Sequence, residues 1–191
     1  MLITGNEDLR VRRTIEAIKR SFEEMICEMD YEKIRVTELC RRAMINKKTF
    51  YVYYQTLDDL LSELQAELSA GYLERIRDFS LPDELDKVNR AFFLYSEEKG
   101  LAYEKITCAG SSSYQYIRSG MMKEVNESGW GSSKKYRALS DFEKTALMDF
   151  VNNAVLGIYK QWVEDGKQQS VEEIIALTNR LVLGGVNEFF G

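Results

Sequence analysis

Apolar residues recur along this 191-residue chain at three- and four-residue spacing, which is the pattern of amphipathic helices. A first stripe extends from Ile15 to Met29, on a helix predicted to begin near Asp8 and to end near residues 30–31. A second, longer stripe extends from Leu57 to Phe79 and ends before Pro82, the only proline. The same spacing continues from there to the C-terminus, so the pattern predicts an all-α fold.

Two much shorter helices are predicted between these stripes, joined by a turn at residues 44–45. The first extends from about Val36 to Ala43, and the second from Lys47 to Tyr53. In the second, Phe50 and Tyr54 are four residues apart and are therefore expected to face the core. Two short helices around a tight turn have the layout of a helix-turn-helix.

Polar residues predict where five of the helices begin, because a side-chain oxygen at the N-cap can accept from the free backbone N–H groups of the first turn. Two Ser-x-x-Glu sequences have the pattern of a capping box, in which the glutamate also accepts from the N-cap backbone. The predicted N-caps are Thr37, Asn46 accepting from Thr49, Thr56 with Asp59, Ser140 with Glu143, and Ser170 with Glu173.

The chain beyond Pro82 is also predicted to be helical. The predicted helices cover about 85–99, 101–109, 113–127, 141–165 and 171–189, with Gly100 and Gly166 at helix ends and a loop at 128–135. We divide the chain into a helix-turn-helix domain at 1–56, a linking helix at 57–80 and a helical domain at 81–191. A three-helix N-terminal domain is thus followed by a larger helical domain.

The charge is distributed unevenly, although the whole chain carries a net charge of −5. Residues 1–56 carry a net charge of +2, and the remaining 135 residues a net charge of −7. Residues 33–55 contain six basic residues and one acidic residue, Glu38. A basic cluster alone is most often a solvated surface, but together with the helix-turn-helix layout it indicates double-stranded DNA as the partner.

Helix-turn-helix proteins place their second helix in the major groove of DNA and brace it with the first. Phosphates are bound by cations, hydroxyls and backbone N–H groups, and base edges are read by side chains that donate or accept hydrogen bonds. The second short helix and its flanks are rich in such groups. The residues expected to contact DNA are Thr37, Arg42, Asn46, Lys47, Lys48, Thr49, Tyr51, Tyr53 and Gln55.

The segment from Val36 to Leu61 resembles the DNA-binding segment of the TetR repressor family, above all in its Thr-Phe-Tyr-Val-Tyr-Tyr core at residues 49–54. The resemblance covers roughly residues 8–70. It implies phosphate contacts from Thr49 and Tyr51, and groove contacts from Lys47, Lys48 and Tyr53.

Three residues depart from the pattern of that family. Met44 stands where a turn glycine is usual, which predicts a turn that is less tight or less exposed. Leu57 stands where a lysine often contacts phosphate, so that contact is expected to be lost. Lys48 replaces a common glycine and adds charge to the second short helix.

The resemblance implies that the acidic region at 81–191 binds an effector and forms a dimer. Apolar residues of the helix at 141–165 occupy too wide an arc for a one-sided stripe, and the helix at 171–189 adds more. A four-helix homodimer interface and a fully buried core helix both account for this pattern. A small-molecule pocket is predicted among residues for which core packing is the alternative: Tyr95, Tyr103, Cys108, Tyr114, Ile117, Met121 and Phe150.

The residues on which most enzymes and metal sites depend are missing from the chain. It has no histidine, no glycine-rich phosphate loop, and three cysteines far apart at 27, 40 and 108. We therefore expect no catalytic residues, no metal and no cofactor. No apolar run reaches 18 residues and no leader is present, so a cytoplasmic protein without membrane association is expected.

These patterns together predict a transcription regulator. The expected form is a ligand-responsive repressor that binds a palindromic operator as a homodimer. Two alternatives stay open: an activator of the same family, and a helical small-molecule-binding protein without a DNA function.

Overall fold

The structure, a computed structural model, describes residues 9–108 and 129–191. These ranges contain eight α-helices and no strand. The helices are α1 at Leu9–Glu28, α2 at Val36–Arg42, α3 at Lys47–Tyr53, α4 at Leu57–Ile76, α5 at Leu85–Cys108, α6 at Lys134–Arg137, α7 at Asp141–Glu164 and α8 at Val171–Phe190. The predicted all-α fold class is confirmed. The predicted helix at 113–127 and the predicted helix start at Asp8 lie outside the described residues.

The chain forms two compact units, each described here by itself. The N-terminal unit consists of residues 9–68 and 99–108, and the C-terminal unit of residues 69–98 and 129–191. The N-terminal unit is therefore built from two separate stretches of the chain. The functional regions at 1–56, 57–80 and 81–191 stay a prediction.

The core of the N-terminal unit is apolar and continuous. It joins one face of α1 to α2, α3, the first half of α4 and the last turns of α5. Its largest buried members are Ile18, Phe22, Met25, Leu39, Phe50, Leu60 and Ile106. Ile106 of α5 is also tied to α4, because Gln65 Nε2 donates a hydrogen bond to its carbonyl oxygen at 3.0 Å.

Side-chain caps start most of the helices as the sequence predicts. Asn46 caps α3, Thr56 and Asp59 cap α4 reciprocally, and complete capping boxes begin α7 and α8. The N-cap prediction for Thr37 is wrong, because α2 begins at Val36 and its N-cap position is therefore Arg35, two residues before Thr37. The Arg35 guanidinium donates to the carbonyl oxygens of Glu32 and Ile34, at 2.6 and 3.0 Å, which shapes the turn before α2.

The helix ends predicted at Gly100 and Gly166 are confirmed, whereas the end predicted just before Pro82 is wrong. Gly100 has φ 70 and ψ −158, a conformation that interrupts α5, and Gly166 with φ 74 follows the end of α7. The prediction that α4 includes Phe79 is wrong, since the helix ends at Ile76 and the chain turns well before Pro82. Residues before a proline avoid the helical region, but here the helix stops earlier than that restriction requires.

The loop predicted at 128–135 is wrong where the structure describes it. Residues Trp130–Ser132 form a 3-10 turn, and Ser133 caps the start of α6. The Trp130 ring is buried against Tyr136 and Phe190, with ring centroids 5.5 and 6.3 Å away. A large aromatic side chain therefore orders a segment whose glycines and serines alone indicate a loop.

The core of the C-terminal unit is dominated by aromatic rings. Phe92 on α5 meets Tyr159 on α7 at a centroid distance of 5.1 Å, and the Tyr159 hydroxyl shares a hydrogen bond of 2.5 Å with Ser96 Oγ. Such edge-to-face pairs add to the stabilisation from burial. The remaining rings of this cluster belong to Tyr72, Phe93, Tyr95 and Trp162.

Candidate nucleic-acid interface

The turn between α2 and α3 is tight although it contains no glycine. Met44 adopts a left-handed backbone with φ 54, and its side chain is 89% exposed. The Ile45 N–H donates to the Cys40 carbonyl at 2.9 Å and the Met44 N–H to the Arg41 carbonyl at 3.3 Å. This pair of bonds is the Schellman pattern that usually has glycine at the left-handed position. The expectation of a less tight or less exposed turn is wrong.

One face of α3 is anchored, which determines the face that solvent reaches. Asn46 Oδ1 accepts from the Thr49 N–H at 2.8 Å and from its hydroxyl at 3.1 Å. Phe50 and Tyr54 are buried in the core of the N-terminal unit, as predicted. At 100° per residue, Lys48 and Val52 lie opposite Phe50, Tyr51 lies to one side, and Lys47 is in the first turn; all four are exposed. We call these four residues the α3 outer face.

The other predicted DNA-contacting residues flank this face or lie elsewhere in the unit. Thr49 and Tyr53 are half-buried at its edge, and Tyr53 packs against the core. Asn46 and Gln55, at the two ends of α3, and Thr37 on α2 are exposed, whereas Arg42 is half-buried. The structure adds Val52, which is 69% exposed. Its spacing of four residues from Lys48 predicts the same face, so the sequence contained the information.

The basic residues of the segment 33–55 differ in what surrounds them. Lys33 pairs with Asp30 at 2.8 Å, and both Arg41 and Arg42 hydrogen-bond Glu38. Within the described ranges, the ammonium groups of Lys47 and Lys48 lie within ion-pair distance of no carboxylate. The exposed cations of this segment without a carboxylate partner in the described ranges are therefore Lys47 and Lys48 on the α3 outer face and Arg35, which bonds carbonyl oxygens before α2.

Charged groups also hold α4 against α1 inside the N-terminal unit. Lys19 Nζ lies 2.8 Å from Glu63 Oε1 and 2.5 Å from Glu67 Oε1. Burial alone would lower the pKa of Lys19, but hydrogen bonds and charge from both glutamates outweigh burial and raise it. The Tyr31 hydroxyl donates to the Asp58 carboxylate at the start of α4. These contacts fix α4 relative to α1 and to the turn that follows α1.

The residues predicted to bind a ligand fall into three groups. Tyr95 is buried in the C-terminal unit, where the Arg75 guanidinium carbon lies 4.6 Å from its ring centroid. Tyr103 is buried and Cys108 half-buried in the N-terminal unit. Tyr114, Ile117 and Met121 lie outside the described residues.

Phe150, the seventh predicted ligand residue, lies on the surface formed by α7 and α8. A Cβ added to Gly185 would come within 2.8 Å of its ring, so the ring rests directly on the α8 backbone. Phe142, Leu181 and Phe189 are exposed on the same two helices. Other apolar residues of α7, such as Val155, are buried within the unit. The helix thus has a buried apolar face and a partly apolar exposed one.

The described ranges contain neither a metal-binding cluster nor a helix that could cross a membrane. No group of three or more cysteine, aspartate or glutamate side chains there is arranged to hold a metal ion. No helix there combines the length and the low polarity that a membrane crossing requires.

Comparison with known proteins places the chain in a family. A family model described as the transcriptional regulator C-terminal region, of the TetR type, matches residues 83–184, a little over half of the chain. The HTH-type transcriptional regulator YxbF of Bacillus subtilis (strain 168) is 31% identical over 96 residues. That match covers 50% of this chain and 23% of the relative, so the chain spans about a quarter of its length.

Solved structures share the fold over nearly the whole chain. A TetR transcriptional regulator from Streptococcus agalactiae 2603V has a TM-score of 0.66 at 18% identity, covering 91% of this chain and 95% of that one. The fatty acid degradation regulator FadR from Bacillus halodurans has a TM-score of 0.68 at 15% identity, with 94% and 97% covered. FadR from Bacillus subtilis, in complex with stearoyl-CoA, has a TM-score of 0.62 at 18% identity, with 87% and 95% covered. At these identities the structures show the fold alone, whereas the family model shows membership: this chain belongs to the TetR family of transcriptional regulators.

Proposed function

We propose that this regulator binds a palindromic DNA operator as a homodimer and represses transcription until a small molecule releases it. The observation that carries the proposal is the α3 outer face. It presents two lysines without a carboxylate partner among the described residues, beside an exposed tyrosine, on a helix anchored from behind by Phe50 and Tyr54. Because the proposed partner is chromosomal DNA, the proposed location is the cytoplasm.

In the proposed complex, α3 lies in the major groove and α2 braces it against the backbone. Lys47 and Lys48 contact phosphates and base edges, Thr49 and Tyr51 contact phosphates, and Val52 packs against a thymine methyl group. The flanking contacts proposed are those of Thr37, Arg42, Asn46, Tyr53 and Gln55. For Arg42, a phosphate contact requires giving up a hydrogen bond to Glu28 or Glu38.

DNA binding is tested with fragments selected from the source genome and titrated at several salt concentrations. Each phosphate contact contributes about 0.9 to the slope of log affinity against log salt, so Lys47→Ala with Lys48→Ala should reduce that slope by about 1.8 per protomer, or about 3.6 for the dimer. The matched control is Lys134→Ala with Lys135→Ala, an exposed pair on α6 with the same loss of charge. Binding that is indifferent to salt, or an equal effect of both pairs, contradicts the proposal.

The proposed dimer interface is the exposed surface of α7 and α8 around Phe150 and Leu181. Large apolar side chains lie there together with Gly184, which lets a partner helix approach closely, whereas Gly185 is covered by the Phe150 ring. Two such helix pairs form a four-helix interface. A dimer also presents two copies of α3 to half-sites about one helical turn apart on DNA.

Leu181→Glu tests this interface, because Leu181 is 54% exposed in the single chain. Losing the burial of one leucine per copy, at roughly 1.5–3 kcal/mol each, should weaken the dimer by about 100-fold or more in analytical ultracentrifugation. The control is Leu9→Glu, at a leucine that is 68% exposed on α1. A dimer that survives Leu181→Glu unchanged contradicts the proposed interface.

The proposed effector binds in the helical domain and changes the affinity for the operator. Stearoyl-CoA bound to FadR from Bacillus subtilis makes a long-chain acyl-CoA a reasonable first probe. The proposed pocket includes Tyr95, which is buried in the C-terminal unit; Tyr103 and Cys108 belong to the N-terminal unit and Phe150 to the proposed dimer surface, so they are not assigned to it. Coupling requires that the ligand bind the DNA-free form more tightly than the DNA-bound form. A ligand that binds the protein and leaves operator affinity unchanged refutes the switch but not the DNA binding.

Two alternatives are decided by the same experiments. A reporter gene behind the selected operator distinguishes an activator from a repressor by the sign of its response. Absence of DNA binding at all salt concentrations, with a small molecule bound, would identify a helical small-molecule-binding protein.

A further inference from the structure

One carboxylate on α2 is shared by two arginines. Arg41 Nε donates to Glu38 Oε2 at 2.8 Å and Arg41 Nη2 to Glu38 Oε1 at 2.7 Å, which is a bidentate pair. Arg42 Nε donates to the same Oε1 at 3.0 Å, and Arg42 Nη2 to Glu28 Oε2 at 2.7 Å. Both arginines are thus neutralised within the N-terminal unit.

The two arginines differ in how firmly they are held. The Arg41 side chain is 72% exposed and has Glu38 as its carboxylate, whereas the Arg42 side chain is 22% exposed and has both Glu38 and Glu28. Hydrogen bonds from Arg41 and then Arg42 lower the pKa of Glu38 to about 2, so it is ionised wherever DNA binding is measured. Exposed pairs of this kind contribute little to folding stability, which leaves room for another role.

Glu38 is the one acidic residue among the six basic residues of the segment 33–55. We propose that Glu38 limits the affinity of this regulator for DNA of any sequence, by occupying the guanidinium groups of Arg41 and Arg42 that would otherwise bind phosphates. Phosphates and carboxylates compete for the same donors of an arginine. The inference rests on the proposed DNA binding and deepens it.

The consequence concerns selectivity. Phosphate contacts carry no sequence information, and a genome offers a vast excess of non-operator sites. Neutralising two cations next to the recognition helix lowers binding to those sites. The contacts of the α3 outer face, which can distinguish bases, then account for a larger share of the affinity.

The test is Glu38→Gln, titrated against a random-sequence duplex over a range of salt concentrations. Releasing Arg41 for one phosphate contact should steepen the salt slope by about 0.9 per protomer, or about 1.8 for a dimer with both copies of α3 on the DNA. Each 0.9 in slope makes the gain in affinity about eightfold larger at 0.1 M salt than at 1 M. Adding Arg41→Ala to this variant should remove the gain. Unchanged affinity and slope for Glu38→Gln would overturn the proposal.

Two further variants separate the proposed role from simpler effects. Glu32→Gln removes the same charge from an exposed glutamate of the same unit, which lies outside ion-pair distance of any base in the described ranges. An equal gain for Glu32→Gln and Glu38→Gln overturns the proposal, since the effect is then one of net charge alone.

Arg41→Ala in the wild-type background keeps the test valid if Glu38→Gln does not fold. An arginine already held by Glu38 should contribute little, so this variant is expected to bind random DNA within twofold of wild type. A loss as large as that of Lys47→Ala overturns the proposal. A folded wild-type protein that binds no DNA at any salt concentration refutes the proposed function and the role of Glu38 with it, whereas the outcomes above refute the role of Glu38 alone.

Discussion

Met44 allows the backbone strain of the helix-turn-helix to be measured by a single substitution. A non-glycine residue in the left-handed region costs roughly 1–2 kcal/mol, and Met44 has φ 54. Glycine relieves that cost but adds freedom to the unfolded chain, at about 0.5–1 kcal/mol. Since the Met44 side chain is 89% exposed, little burial is lost. Met44→Gly should therefore stabilise the N-terminal unit by about 0.5–1 kcal/mol.

The measurement must report on the N-terminal unit, and tryptophan fluorescence does not. Both tryptophans, Trp130 and Trp162, belong to the C-terminal unit. Hydrogen exchange of the Tyr54 amide is suitable, because it donates to the Phe50 carbonyl at 3.0 Å behind α3. A gain of 0.5–1 kcal/mol slows its exchange roughly two- to fivefold.

Met44→Ala is the matched control for this prediction. It removes the same exposed side chain but keeps the Cβ that disfavours the left-handed region, so stability should stay within about 0.5 kcal/mol of wild type. If the glycine variant is no more stable than the alanine variant, the backbone at Met44 is not strained and the reasoning fails. Operator affinity should be the same for all three proteins, because the turn itself does not change.

Three further predictions concern other residues of the fold. Asn46→Ala removes the cap of α3 and should cost about 1 kcal/mol and weaken operator binding, measured by chemical unfolding and DNA titration. Gly100→Ala should lower the free energy of unfolding by about 1–3 kcal/mol, because φ 70 with ψ −158 is accessible almost only to glycine. The added Cβ would meet no neighbouring side chain within 4 Å, so crowding would not explain the loss. Burial, and then the charge of Glu67, raises the pKa of Glu23, so its ionised form opposes folding. Glu23→Gln should therefore stabilise the protein at pH 7, and this gain should vanish as the pH falls below the unfolded pKa of 4.5; an equal gain at pH 4 and pH 7 would contradict this cause.

Local chemistry explains which parts of the fold could be predicted from the sequence. The caps at Asn46, Ser140 and Ser170 depend on a side chain and a backbone N–H three residues apart, so the sequence alone is sufficient. The misplaced cap at Thr37 has a different cause. The start of α2 depends on where the extended backbone at Arg35 ends, and the Arg35 guanidinium helps to shape that turn.

The candidate site shows the same division. The outward position of Lys48 follows from helical spacing once Phe50 and Tyr54 are assigned to the core, whereas Lys47 is exposed as the first residue of the helix. The same spacing places Val52 beside Lys48. Val52 is not among the residues predicted to contact DNA because phosphates are bound by cations and hydroxyls, and Val52 is apolar. The prediction for the turn at Met44 is wrong for a physical reason. Methionine disfavours a positive φ, but the two hydrogen bonds that close the turn hold Met44 in that conformation.

The position of Ile106 has a consequence for any attempt to cut this protein into parts. A fragment that stops after α4 would lose this buried side chain, at a cost of roughly 2–5 kcal/mol by analogy with truncation of core isoleucines, and would leave the Gln65 amide without its acceptor. The N-terminal unit is thus completed by residues that follow the end of α4 by about 30 positions in the chain. Chimeras that join this N-terminal half to another regulator's sensor should therefore carry residues 99–108 along, or they should form an insoluble or poorly folded head.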